Sequence, residues 1–104
     1  MRWNALFAVP LVAGAMLPAT AQDKDTLYLR SLAATCANCH GTQGRAQPGS
    51  TVASLAGMPS AYIVEQMQAF RAGTRGATIM HQLAKGYTDA QIAQIAGYFS
   101  AQSK

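Results

Sequence analysis

The chain has 104 residues, with eight Lys or Arg against four Asp or Glu, a formal net charge of +4, and two cysteines. That length allows one domain, which removal of an expected leader would bring near the lower limit at which an apolar core suffices without a cofactor, metal or crosslink. The basic residues are scattered singly instead of forming a stripe, which excludes the electrostatic footprint of a nucleic-acid-binding protein.

Residues 1–21 read as a secretory signal peptide. Arg2 supplies the positive end, and Ala5 to Leu17 is an apolar run too short for the roughly 20 residues that span a bilayer. Ala19-Thr20-Ala21 is a small-x-small cleavage site, so cleavage is expected after Ala21 and the mature chain at residues 22–104. An uncleaved leader serving as an anchor is the alternative. Beyond it there is no repeat, no low-complexity tract and no internal boundary. No strand pattern is convincing, so the expected architecture is all-α.

The first helix is expected from about Asp25 to Cys39, capped by Asp23 or Asp25, with Leu27, Leu29, Leu32 and Ala33 as its apolar stripe. It runs into Cys36-Ala37-Asn38-Cys39-His40. Cys-x-x-Cys-His is the spacing that attaches a c-type haem: two thiols on one helical turn each bond a vinyl group, and the adjacent imidazole reaches the iron. Zinc and dithiol readings fit less well. A structural zinc wants four ligands, which only Cys36, Cys39, His40 and His81 could supply, and a thioredoxin-type motif needs absent βαβ patterning. Since haem is attached to such motifs outside the bacterial cytoplasm, the motif and the leader agree on the periplasm.

Gly41 to Gly57, rich in Gly, Ser, Thr and Gln, is expected to be a loop. A metal-bound His usually donates its other ring nitrogen to a carbonyl, and Pro48 is the candidate for that contact, against an ordinary turn proline. The second helix should begin with Ser60 as N-cap and end at Ala72 before Gly73, presenting Tyr62, Ile63, Gln66, Met67 and Phe70 to haem or core. A short helical stretch from Ile79 to Lys85 follows. The last helix starts at a capping box of Thr88 and Gln91 and runs to about Gln102, its stripe of Ile92, Ile95, Ala96 and Phe99 suited to cross the first helix. Gly97 inside it costs about 1 kcal/mol against Ala, which suggests close passage of a neighbour.

An electron carrier wants a second axial ligand, for which Met58, Met67, Met80 and His81 are available. Met80 is favoured by its loop-to-helix corner far along the chain from His40, and a thioether raises the potential. Met67 lies in an apolar helix face where Met usually fills gaps.

In its order of Cys-x-x-Cys-His, helix, distal Met and C-terminal helix, the sequence resembles the class I cytochromes c. Leu55-Ala56-Gly57, Tyr62 to Gly73 and Thr78 to Phe99 are similar to the cytochrome subunit of flavocytochrome c sulfide dehydrogenase. That resemblance implies three to four helices around one covalent haem c, Cys36 and Cys39 as attachment points, and His40 and Met80 as axial iron ligands. It also implies electron transfer with a flavoprotein sulfide dehydrogenase as redox partner, the flavin and sulfur chemistry belonging to another chain. The best-known subunits of that kind hold two haems, whereas this sequence has one haem motif. A free soluble carrier feeding an oxidase or reductase is the alternative, and a haem enzyme or gas sensor with an open distal site is a third. Met58, Ala61, Tyr62, Ile79 and His81 are candidates for the rim of the haem edge, with Arg71 and Arg75 candidates for pairing with propionates.

Overall fold

Among the described residues, glycine and proline punctuation separates four α-helices: α1 (Lys24–His40), α2 (Ser60–Ala72), α3 (Met80–Lys85) and α4 (Asp89–Ser100). This computed structural model describes Gly14 and residues 23–104, so the expected leader and its cleavage site lie, Gly14 apart, outside the described residues. Among the described residues there is no strand, and the all-α expectation holds. A short 3-10 turn over Thr42–Gly44, within the segment expected to be a loop, follows α1.

The last helix is the centre of the packing. Its N-terminus carries the expected capping box: the Gln91 N–H donates to Thr88 Oγ1 at 3.1 Å and the Thr88 N–H to Gln91 Oε1 at 3.0 Å, satisfying two of the backbone donors that a helix start leaves without partners. Ile92, Ile95, Ala96 and Phe99 are all buried, and both α1 and α2 pack on α4. Each of the three large side chains contributes about 1.5–3 kcal/mol by leaving water. The other helices add less: Ala33 from α1, Ile63 and Met67 from α2, Ala84 from α3. Around this small cluster lies a ring of half-buried apolar side chains, including Leu32, Cys36, Leu55, Met58, Val64, Phe70, Met80 and Tyr87.

The expected stripe of α1 is buried only toward its C-terminal half. Leu32 joins the ring, Leu29 is half-buried and Leu27 is exposed. Near that start α1 meets α4 through polar groups, the Gln91 amide donating to the Tyr28 hydroxyl at 3.0 Å. Asp23 occupies the N-cap position of α1 without a side-chain bond to the helix backbone.

Two further expectations are corrected. Ser60 is the first residue of α2 and not its cap; Pro59 is the cap, and its carbonyl accepts the first helical bond from the Ile63 N–H at 3.1 Å. The far end of α2 is as expected. Gly73, at φ 76°, donates to the Phe70 carbonyl while the Thr74 N–H donates to Ala69, the paired bonds of a Schellman ending. Gly97 is exposed, and a Cβ built on it would meet nothing within 4 Å, so no neighbouring helix passes close.

Gly44 is the opposite case. At φ +79° it sits where L side chains rarely go, and an added Cβ would fall 2.6 Å from Phe99 Cδ1. Gly97→Ala should therefore stabilise the haem-loaded protein by about 0.5–1 kcal/mol, whereas Gly44→Ala should destabilise it by about 1–3 kcal/mol. Thermal unfolding of the two variants checks both signs.

Candidate haem site

The last turn of α1 presents the motif. Cys36 and Cys39 lie three residues apart, hence on one helix face; both are free thiols, Cys36 half-buried and Cys39 exposed. Burial pushes the Cys36 thiol above its ordinary value, a hydrogen bond with Thr35 draws it back in part, and the neighbouring Cys39 raises it further. Cys36 is thus presented as a neutral thiol against the apolar side chains packed on the core. Among the described residues no group of three or more His, Cys, Asp or Glu is arranged to hold a metal ion.

His40 follows at the helix end, and its ring orientation is set by the loop. Nδ1 stands 2.6 Å from the Ala53 carbonyl. A carbonyl can only accept, so Nδ1 carries the proton and Nε2 keeps its lone pair for a metal. Pro48 does not make this contact. It is exposed in a turn closed by the Ser50 N–H donating to Gln47 at 3.0 Å, with Gly49 at φ 81°. Proline followed by a left-handed glycine is the arrangement of a type II turn, so Pro48 is a turn proline.

The reach of Ala53 to His40 depends on how the loop folds back. The Gly44 carbonyl accepts from the Leu55 N–H at 2.7 Å, the Ala56 N–H at 3.1 Å and the Ser54 hydroxyl at 2.8 Å. The Gly57 N–H then donates to Phe99 at 2.9 Å, fastening the loop exit to α4. Gly44 thus anchors the segment that aims the imidazole.

The four candidates for a second iron ligand separate by position. Met67 is buried in the core cluster. Met58 is half-buried just before α2 and lines a shallow pocket with Arg45, Ala46, Ser54, Ala56 and Lys104. Met80 is half-buried at the first position of α3 and belongs, with Cys36, to the ring around the core. His81 is half-buried, its Nδ1 without a hydrogen-bond partner. Of the expected rim residues Tyr62 and Ile79 are exposed. The two arginines have protein partners: Arg71 pairs with Asp89, and Arg75 bonds Gln66 Oε1 and lies 4.7 Å over the Phe70 ring.

Three residues escaped the sequence reading. Ala53 acts through its backbone, which no side-chain pattern announces. The Tyr87 hydroxyl and Thr35 Oγ1 are 2.8 Å apart across 52 residues of chain, a pairing visible only in three dimensions.

Residues 30–102 match the family model described as "Cytochrome c". The chain belongs to the cytochrome c family. It is 37% identical over 95 residues to the "Cytochrome subunit of sulfide dehydrogenase" of Chlorobaculum tepidum, covering 91% of this chain and 80% of that one. It is also 37% identical over 68 residues to the "Thiosulfate dehydrogenase electron acceptor" of Thiomonas intermedia, covering 65% of this chain and 31% of that one. A solved cytochrome c4 of Acidithiobacillus ferrooxidans superposes with a TM-score of 0.60 at 39% identity, over 64% of this chain and 37% of that one. The chain therefore spans about a third of the latter two proteins.

As a family member the protein carries covalently bound haem c and serves electron transfer. The residues present fit that group, with two free thiols on one face, an adjacent imidazole with an available Nε2, and a half-buried apolar ring beside them. In the reduced haem-loaded protein the His40 Nδ1 proton should exchange slowly with water and show a nuclear Overhauser contact to Ala53 or Ser54. A rapidly exchanging Nδ1 proton without that contact would contradict the assigned tautomer.

Proposed function

We propose that the protein is a periplasmic monohaem electron carrier with His/Met ligation, working as the cytochrome partner of a flavoprotein sulfide dehydrogenase. The observation that carries the site assignment is the His40–Ala53 contact, which leaves Nε2 free one residue after two paired thiols. Cys36 and Cys39 would hold the haem at two points through thioether bonds, and His40, oriented by the loop, would offer Nε2 to the iron. Met80 would supply a thioether as the second ligand, and the apolar side chains packed beside Cys36 would help keep water from the centre. When bound, the haem supplies a one-electron couple.

The partner reading draws on the Chlorobaculum relative, whose similarity covers nearly all of this chain. The leader expected at residues 1–21 supports export. No helix among the described residues is long and apolar enough to cross a membrane. A second reading, a free carrier, draws on the Thiomonas relative named as an electron acceptor. In either case catalysis on sulfur compounds belongs to the partner.

Haem should remain with the exported protein after acid-acetone extraction, in a chain beginning at Gln22 by mass spectrometry. Met80→Ala should lower the reduction potential, within the span of about 0.8 V over which axial ligands act, and admit carbon monoxide to the ferrous iron. An unchanged spectrum and potential in Met80→Ala, together with their loss in Met58→Ala, would move the assignment to Met58.

Size-exclusion chromatography of the native extract tests the partner. Haem absorbance is expected to elute with flavin in a fixed ratio and to be reduced when sulfide is added. Elution at the size of the isolated domain, with no sulfide-driven reduction, would favour the free carrier.

A further inference from the structure

Residues 73–86 join α2 to α4 and carry Met80. At the entrance the Schellman ending fixes Gly73 and Thr74 on α2. Residues 76–79 are exposed. The exit converges on Tyr87, whose N–H donates to Ala84 at 3.4 Å and whose neighbour Thr88 opens α4.

Tyr87 is gripped from two directions. Arg71, near the end of α2, donates from Nη1 to the Tyr87 carbonyl at 3.3 Å and from Nη2 to the Asp89 carboxylate. One planar guanidinium on α2 thereby holds two points at the exit of the segment, which a lysine could not do with the same geometry. On the other side the Tyr87 hydroxyl meets Thr35 Oγ1 at 2.8 Å. Thr35 Oγ1 also bonds the Leu32 carbonyl on its own helix at 2.8 Å. Thr35 precedes Cys36, the first attachment cysteine, so the chain of contacts runs from α2 through Tyr87 to the haem-attachment turn.

We infer that Arg71, Tyr87 and Thr35 form a latch that ties the Met80-bearing segment to the Cys36 turn and sets how readily the distal ligand leaves the iron. They are positioning residues. The Asp89 carboxylate is 76% exposed, so its ion pair alone contributes little. The latch lies in the pair of bonds at Tyr87, each of which fixes backbone or a rigid ring. Opening it frees the exit of the segment while leaving the core stripe of α4 in place, a local rather than global unfolding.

The proposal rests on the reading of Met80 as axial ligand, and the test separates the two. In the purified haem-loaded ferric protein, imidazole binding is followed by stopped flow while the sulfur-to-iron charge-transfer band reports Met ligation. Tyr87→Phe and Thr35→Val should each raise the rate of imidazole binding about three- to tenfold, and Arg71→Gln about tenfold, the effect of losing one well-made hydrogen bond. The Tyr87→Phe/Thr35→Val double variant should be no faster than either single one, because both remove the same bond. Amide exchange should accelerate across residues 74–84 and stay unchanged in α4.

A wild-type protein lacking the sulfur-to-iron band would overturn the ligand reading and the latch with it. A wild-type protein that has the band, with variants that bind imidazole at its rate or lose protection evenly across all helices, would overturn the latch alone.

Discussion

A histidine ring has two nitrogens, and whichever one carries the proton cannot bind a metal through its lone pair. The Ala53 carbonyl, 2.6 Å from Nδ1, decides that choice for His40. Because the acceptor is backbone, its position follows from the path of the loop, and that path follows from the Gly44 carbonyl that collects three donors. The loop composition suggests slack, yet nearly every turn in it serves to hold one carbonyl at one distance. A change far from the imidazole, at Gly44 or at the Gly57–Phe99 bond, acts on the orientation of His40 by moving Ala53.

The packing of the helices is uneven in an informative way. α4 buries a full stripe, while α1, α2 and α3 give only one or two side chains each to the cluster. The remaining apolar surface of those helices is half-buried and forms the ring beside the motif. A chain this short with so few buried side chains lacks the core to offset the ordering of its backbone, about 1–2 kcal/mol per residue. Covalent haem supplies a rigid apolar body that this ring can close upon, so the cofactor is a structural element as well as a redox centre.

The sequence was most legible where side chains act locally. The Thr88–Gln91 box, the Gly73 ending and the α4 stripe all depend on residues within seven positions of each other, and all are present. Distance and backbone defeated the reading elsewhere. Pro48 looked like the partner of His40 because proline is conspicuous, but the accepting group is the carbonyl of an unremarkable alanine. Pro59 displaced Ser60 as cap because a carbonyl, not a hydroxyl, begins the ladder. Gly97 implied a close neighbour on its small size alone, whereas its face is open. The protein partners of Arg71 and Arg75, which are Asp89, Tyr87, Gln66 and Phe70, lie near them only after folding and were not legible in the sequence.

The Phe99 carbonyl is shared: it accepts from Gly57 in the loop at 2.9 Å and from Gln102 beyond α4 at 3.1 Å. Its ring meanwhile lies against the face of Gly44, where a methyl group would not fit. One residue thus registers three things at once: the depth of α4 in the core, the closure of the loop and the seating of the C-terminal turn. Loss of the C-terminal turn would be felt in the loop through this shared acceptor, so the two form a single cooperative unit.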